Sequence, residues 1–305
     1  MAITFTDGMD AMKPGSRLVA AVAVAFAAFA GGAQADAPAA ATPGAAQLLA
    51  THARLAPLLS RSAFGRPLVL ESEAGARHAS GEVYAVVDYP FATVKASFAN
   101  PRNWCEVLIL HINTKYCRAG GDSLNVRVGR KHPQELDDAF ALSFAYRLDA
   151  DARDYLAAQV SAPSGPLGSR DYRIQLQAVP LGPRRSFLRL HYSYGFGAAA
   201  KLATRGYLAT AGSGKVGFTR TGKGLVGGVR GAIERNTMRY YLAIESYLAS
   251  LQQPAGRRFA SRIERWFDAT ERYPRQLHEM DRAQYLAMKR GEYARQETVD
   301  LAANH

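Results

Sequence analysis

The chain has only two cysteines in 305 residues, and it lacks the motifs of the common hydrolases. None of its seven histidines belongs to an H-E-x-x-H pair, and there is no G-x-S-x-G elbow. Acidic residues are also few, with 26 Asp and Glu against 38 Lys and Arg. No feature therefore indicates catalysis, a metal or a cofactor, and a site assembled from residues distant in sequence remains the enzyme alternative.

Long apolar runs are absent except at the N-terminus. Lys13 and Arg17 precede an apolar run over residues 18–30, which is followed by Ala33-x-Ala35. A short basic region, an apolar core and small residues at this spacing are typical of a secretory signal peptide. We expect cleavage near Ala35 and a periplasmic or secreted mature protein. The alternative is a permanent anchor helix, for which the run is barely long enough.

The two cysteines, Cys105 and Cys117, have eleven residues between them. In an oxidising compartment, a pair this close favours a disulfide. Two free buried thiols are the alternative. A metal site is not expected, because no histidines stand at finger spacing near the pair.

The formal net charge of +12 favours anionic partners such as lipid headgroups or acidic ligands. Export makes nucleic acid the weakest candidate, so we expect no nucleic-acid partner. The densest basic zone includes Arg230, Arg235 and Arg239, which we interpret as contacts to a headgroup or an anionic membrane surface. Ordinary solvation of a helix face explains the same residues equally well.

Hydrophobic periodicity divides the chain into four parts. Residues 1–35 form the signal, 36–79 a lead-in with a short helix over 48–64, 80–252 the main domain and 253–305 a helical tail. In the main domain, period-two patterns predict antiparallel strands, and period-3.6 patterns predict two short helices after the first strand and one long helix at the end. The predicted strands are 81–88, 124–128, 140–148, 172–178 and 187–196, and the long helix covers 229–251.

The order of these elements resembles the helix-grip fold of the START-like (SRPBCC) superfamily, here in an exported, bacterial-type form. The resemblance rests on the first strand, on Pro90 and Pro101 with Trp104 in the helical turn, and on the later strands and long helix. It covers residues 80–252 and involves no diagnostic motif. It implies an α+β fold in which a curved antiparallel sheet wraps around a long C-terminal helix and encloses an apolar cavity. The signal, the cysteine pair and the helical tail depart from familiar intracellular members.

Two aromatic faces are the candidate walls of that cavity. Tyr192, Tyr194 and Phe196 share one strand face, and Tyr240 and Ile244 share one helix face. A gripping sheet would bring the two faces together around a hydrophobic ligand. The alternative is a core that these side chains fill completely.

We therefore expect an exported protein that binds a hydrophobic molecule, in particular a lipid, and carries it between membranes. One alternative is an enzyme on the same scaffold, a cyclase or hydrolase with a hydrophobic substrate. Another is an interaction module with a solid core. No cofactor is expected: residues 217–223, GFTRTGK, come near a phosphate-binding loop, but Gly224 stands where the hydroxyl that holds magnesium is required. We interpret this segment as a hinge.

The disulfide gives the first testable prediction. Unreduced protein recovered from the oxidising compartment should show no alkylatable thiol by mass spectrometry. Closing so short a loop should stabilise the fold by about 3 kcal/mol. Cys105→Ala with Cys117→Ala should therefore lower the free energy of unfolding by about that amount. Two alkylated thiols in unreduced wild type would contradict the pairing.

Overall fold

The computed structural model describes residues 41–197, 214–222 and 224–302, with side chains described as far as residue 296. The predicted signal lies outside these residues. Within the described part, no helix is long and apolar enough to cross a membrane. The helices are α1 (Pro43–Ser60), α2 (Phe91–Phe98), α3 (Pro101–Leu108), α4 (Gly228–Ser250), α5 (Arg258–Glu271), α6 (Pro274–Leu277) and α7 (Arg282–Ala302).

The strands form one antiparallel sheet of eight, in the order β1-β2-β8-β7-β6-β5-β4-β3. Arg220–Thr221 (β9) and Gly224–Leu225 (β10) form a separate small hairpin. The large sheet consists of β1 (Leu68–Ala74), β2 (His78–Val87), β3 (Thr114–Gly120), β4 (Ser123–Val128), β5 (Phe140–Asp151), β6 (Leu156–Ser164), β7 (Ser169–Pro180) and β8 (Ser186–Phe196).

The predicted helix-grip fold is confirmed: the long helix α4 lies against one face of a large antiparallel sheet. All five predicted strands are present. The sequence patterns did not predict β1, β3 and β6, and β6 lies between the strands predicted at 140–148 and 172–178.

Helix α4 packs chiefly on β1, β2 and β8. Gly81 of β2 permits this contact, because a Cβ atom at that position would collide with the hydroxyl of Thr237 on α4. The Thr237 hydroxyl itself donates to the carbonyl of Ile233 at 2.8 Å, which satisfies its hydrogen-bonding capacity inside the helix. The helix therefore approaches one side of the sheet closely, and β4, β5 and β7 lie farther from it.

Helix α1 covers the opposite face of the sheet. Thr42 caps it by accepting from the backbone N–H of Ala45, and Pro43 occupies its first turn, where a missing N–H does no harm. Its buried face meets Tyr84, Phe187 and other side chains in a second hydrophobic cluster. The sheet is therefore buried on both faces beneath α1 and α4.

The tail helices share the main hydrophobic core. Helix α5 packs on α4, and Trp266 of α5 donates from its indole to the carbonyl of Arg239 at 3.1 Å. Helix α7 packs on β3, where Tyr285 donates to the carbonyl of Leu110 at 2.9 Å. The tail is helical as predicted. The boundary at residue 252 stays a prediction, although these contacts favour one cooperative unit.

A buried charge cluster joins α7 to β3. Glu292 accepts from Lys115 at 2.9 Å and from Lys289 at 2.8 Å, and all three side chains are essentially inaccessible to solvent. Lys289 also donates to the carbonyls of His111 and Thr114. Burial, partly offset by Glu292, lowers the pKa of Lys289 to about 8. The carboxylate of Glu292 is therefore the shared counter-ion of both buried lysines.

The disulfide prediction agrees with the structure. Cys105 of α3 is bonded to Cys117 of β3, with a Cα–Cα distance of 5.2 Å. The backbone N–H of Cys117 donates to the side chain of Gln296 on α7 at 3.1 Å. The disulfide and the charge cluster therefore fasten α3, β3 and α7 to each other.

Glu292→Gln should be more destabilising than Lys289→Met. The first change leaves two buried lysines without a counter-ion, and breaking such a pair costs about 3–5 kcal/mol. The second leaves Lys115 and Glu292 as a balanced pair and removes only the contacts of Lys289. Urea denaturation at pH 7 measures both variants. If Lys289→Met lowers the free energy of unfolding more than Glu292→Gln does, the hydrogen bonds from Lys289 to the two backbone carbonyls, rather than charge balance, determine the stability of the contact between α7 and β3.

Candidate functional site: a cavity between the sheet and α4

A cavity of about 160 Å³ lies where α4 is farther from the sheet. Its position follows from the packing of α4 on β1, β2 and β8, because the side chains of β4, β5 and β7 do not reach across the remaining space. Apolar side chains form most of the wall, and several aromatic and polar groups complete it. The lining residues are Leu108, His111, Asn113, Thr114, Val126, Val128, Leu142, Phe144, Pro166, Tyr172, Ile174, Tyr192, Asn236 and Tyr240.

Two aromatic rings from opposite sides meet at the cavity. The rings of Tyr192 on β8 and Tyr240 on α4 lie 5.1 Å apart in an edge-to-face arrangement, a favoured geometry for aromatic pairs. Burial raises the pKa of both phenols, so both are neutral hydroxyls at neutral pH. The predicted approach of the strand face to the helix face is present at this pair.

His111 supplies the imidazole of the site. It follows α3, its ring stacks on Tyr240 with centroids 4.9 Å apart, and the residue is 5% exposed. Its Nδ1 accepts from the backbone N–H of Asn113 at 3.2 Å, whereas Nε2 has no hydrogen-bond partner among the described residues. Burial, reinforced by Arg239 and Lys289, holds the pKa of His111 well below its ordinary value.

The other predicted cavity residues lie beside the cavity. Tyr194 stacks on Tyr172, with ring centroids 5.6 Å apart, and Phe196 contacts Tyr194 in turn. These two side chains continue the aromatic row of β8 past the cavity wall. Ile244 is 1% exposed and belongs to the packed core rather than to the lining. A ligand-binding role for all five remains a prediction.

The three predicted headgroup residues face different surroundings. Arg235 is buried and donates to the carbonyl of Val216 at 3.2 Å. Arg239 is buried and pairs with Glu279 at 2.7 Å. Arg230 is more exposed and donates to the hydroxyl of Ser72 at 2.9 Å. The structure therefore places Arg235 and Arg239 inside the protein, because α4 is buried by the tail and by the segment that precedes it.

The glycine-rich segment before α4 holds a carboxylate of the protein itself. The backbone N–H groups of Phe218 and Thr219 donate to Glu234 at 2.5 and 2.9 Å. Ser72 donates to the other oxygen of Glu234 at 2.5 Å. A Cβ atom at Gly217 would collide with this carboxylate, which accounts for glycine there. Residues 215–218 do not form a strand, and Lys223 lies outside the described residues.

A polar network that the sequence reading missed lies on the outer face of the sheet. Glu82 of β2 accepts from Arg189 at 3.0 Å, from Tyr84 and from Nδ1 of His191 at 3.1 Å. Burial would raise the pKa of Glu82, but these donors lower it below its usual range. His191 is therefore part of a structural network rather than a lone surface side chain. The register that aligns it with Glu82 is a tertiary fact without a local sequence signal.

A wider groove of about 750 Å³ runs along α7. Its walls include Met280, Met288 and Pro133, and Arg295 lies among them. It is an open surface groove beside the loop that follows β4. Arg295 in the groove and His111 in the smaller cavity each have a buried nitrogen without a partner among the described residues. We place the candidate site in the smaller cavity, because it lies between the sheet and α4 and is less open to solvent than the groove.

Glu82→Gln should destabilise the fold at pH 7, because Arg189 would lose a charged acceptor. The expected loss is about 1.5–3 kcal/mol. The lowered pKa of Glu82 contributes stability that is present above about pH 4.3 and disappears as the pH falls below it. Unfolding experiments from pH 7 to pH 2 should therefore show a smaller acid-induced loss for Glu82→Gln than for wild type. If wild type and Glu82→Gln lose the same stability between pH 7 and pH 2, the lowered pKa of Glu82 does not contribute to acid unfolding and this prediction is wrong.

No family model matches the chain, and no curated protein is similar to it in sequence. Similar solved structures include a conserved protein from Geobacillus kaustophilus, 11% identical over 56% of this chain and 95% of that chain, with a TM-score of 0.34. A norcoclaurine synthase point mutant from Thalictrum flavum is 15% identical over 55% and 99%, with a TM-score of 0.31. The Zhui aromatase/cyclase from Streptomyces sp. R1128 is 14% identical over 65% and 95%, with a TM-score of 0.29. At such identities and TM-scores, these neighbours carry no argument about the ligand or activity of this chain.

Proposed function

We propose that the protein binds a hydrophobic small molecule in the cavity between the sheet and α4. The observation that carries the proposal is the cavity itself: it lies between the sheet and α4 and is mostly apolar, with a few polar groups in its wall. Binding sites for small molecules usually combine a concave apolar wall with a few fixed polar groups. A solid core, the expectation for an interaction module, would leave no such space.

The size of the cavity limits the ligand. A cavity of about 150 Å³ lined by apolar side chains binds benzene, and this cavity measures about 160 Å³. It therefore suits a single ring or a short chain. A more specific version of the proposal is that the ligand is a lipid, of which only part of one acyl chain would enter the cavity. Transport of lipid between membranes is a further step of the same proposal.

We also propose that the protein acts after export. The support is the signal-like pattern before Ala35, together with a disulfide of the kind that persists in oxidising compartments. Expression with and without residues 1–35, followed by fractionation and mass measurement of the mature N-terminus, tests this part. Retention of residues 1–35 in the recovered protein would contradict cleavage and favour an anchor.

Filling the cavity should weaken binding while the fold survives. Val126 lines the cavity, so Val126→Phe puts a ring into the space at a folding cost of about 1–3 kcal/mol. Toluene, titrated while amide chemical shifts are followed by NMR, should bind the variant about tenfold more weakly than wild type. The control is Ile263→Val, which changes the packed core outside the lining at a cost of about 0.5–1.5 kcal/mol.

The control should bind toluene as wild type does. If folded Val126→Phe also binds as wild type does, or if wild type shows no shifts near the cavity, the proposal is wrong. Binding of a fluorescent fatty acid tests separately whether the ligand is a lipid. If the protein binds toluene but not the fatty acid, the small-molecule site is supported and the lipid-carrier hypothesis is wrong. Turnover of a bound probe would instead support the enzyme alternative.

A further inference from the structure

His111 has a buried nitrogen that the described part of the protein leaves without a partner. The residue lines the cavity and is 5% exposed, and its Nε2 makes no hydrogen bond. Most buried polar atoms in native proteins have a partner, because an unsatisfied one loses its hydration without compensation. An orphan of this kind in a cavity wall indicates a group on a ligand.

The hydrogen bond at the other nitrogen fixes what that group must be. The backbone N–H of Asn113 donates to Nδ1 of His111 at 3.2 Å, so Nδ1 carries a lone pair and no proton. A neutral imidazole has its proton on the other nitrogen. Nε2 is therefore an N–H donor, and its missing partner is an acceptor.

The surroundings keep the ring neutral and leave this donor free. Burial disfavours the imidazolium ion, and the positive charges of Arg239 and Lys289 disfavour it further. The side chain of Asn236 lies close enough to raise the pKa of His111 through a weak hydrogen-bonding interaction, which opposes this effect. Its amide oxygen already accepts from Arg239 at 3.3 Å, and it does not meet the distance and angle of a normal hydrogen bond to Nε2. His111 therefore donates without ionising at neutral pH.

The rest of the lining restricts the ligand to a neutral, compact, ring-containing molecule. The described lining residues include no Asp, Glu, Lys or Arg, so a charged ligand would lose its hydration without gaining a counter-ion. Four aromatic rings face the space, from Phe144, Tyr172, Tyr192 and Tyr240. Aromatic rings pack well against one another in stacked and edge-to-face arrangements.

We propose that the cavity selects small aromatic molecules that carry a neutral hydrogen-bond acceptor, such as a ketone or ester carbonyl, which accepts from Nε2–H of His111. This inference rests on the proposed binding function and adds the chemical class of the ligand. The apolar walls supply affinity for the ring, and the imidazole discriminates between a carbonyl compound and a hydrocarbon of the same shape.

The test compares acetophenone with α-methylstyrene, in which a CH₂ group replaces the carbonyl oxygen. Each is titrated by NMR against wild type and His111→Phe, which keeps a ring beside Tyr240 but removes the donor. The variant should bind acetophenone about tenfold more weakly than wild type, a difference of about 1.4 kcal/mol. It should bind α-methylstyrene within about twofold of wild type. Comparing variants for each ligand cancels the different solubilities of the two ligands.

His52→Phe is the matched control, since it makes the same substitution on α1, which covers the opposite face of the sheet. It should bind acetophenone as wild type does. Tyr192→Phe tests the other donor in the wall: a loss of acetophenone affinity in Tyr192→Phe without one in His111→Phe would assign the donor to the tyrosine and overturn the inference. Equal losses of affinity for both ligands in His111→Phe would also overturn the inference. They would leave the proposal of hydrophobic binding intact. If wild type binds neither acetophenone nor α-methylstyrene, the proposed function itself is wrong.

Nitrogen-15 NMR of the histidine ring provides a readout that does not depend on the fold of a variant. In wild type, the proton of His111 should reside on Nε2, and the Nε2 resonance should shift when acetophenone binds and shift less with α-methylstyrene. A ring protonated on Nδ1 would overturn the inference directly.

Discussion

The close contact between α4 and β2 determines where the interior of this protein is full and where it is empty. Thr237 of α4 lies directly over Gly81 of β2, so close that a Cβ atom at position 81 would collide with its hydroxyl. The helix is thereby held toward β1, β2 and β8. Because a straight helix cannot follow a sheet of eight strands, the space beneath β4, β5 and β7 must be filled by side chains or remain open. The 160 Å³ cavity is the part left open.

Charged groups inside the protein serve a different purpose from the cavity. They are found where separate segments meet: Glu292 joins α7 to β3, Glu279 joins the tail to α4, and Glu234 holds the loop that precedes α4. Each carboxylate receives several donors, which compensates for its lost hydration. The cavity wall, in contrast, is built from apolar, aromatic and neutral polar side chains. Charge therefore fixes the arrangement of segments, and neutral groups face the ligand space.

Strand prediction succeeded where large side chains recur at every second position. In β5, buried Leu142, Phe144 and Tyr146 alternate with exposed neighbours, and this alternation can be read from the sequence. It failed at β6, where small residues are buried on both faces, because alternate residues belong to the two hydrophobic clusters on opposite sides of the sheet. It failed at β3 because Lys115 suggests exposure, whereas its partner Glu292 comes 177 residues later.

Only part of the candidate site could likewise be predicted from the sequence. The aromatic faces of Tyr192 and Tyr240 follow from strand and helix periodicity, and the structure brings them together. The orphan nitrogen of His111 does not follow from periodicity. It depends on the backbone N–H of Asn113 occupying Nδ1 and on the other side chains of the described residues not reaching Nε2 with normal hydrogen-bond geometry. Such a vacancy is a property of three-dimensional packing, and no local pattern reports it.

The position of Gln296 has a consequence for how this protein behaves in concentrated solution. β3 is the last strand of the sheet, and a terminal strand exposes backbone donors that can recruit a strand from another molecule. Here the N–H of Cys117 is already bound to the Gln296 amide oxygen. A side chain on α7 thus takes the place of a ninth strand and denies a neighbouring molecule that attachment point. The helix that neutralises the buried lysines thereby also protects one position of the β3 edge against pairing with another chain.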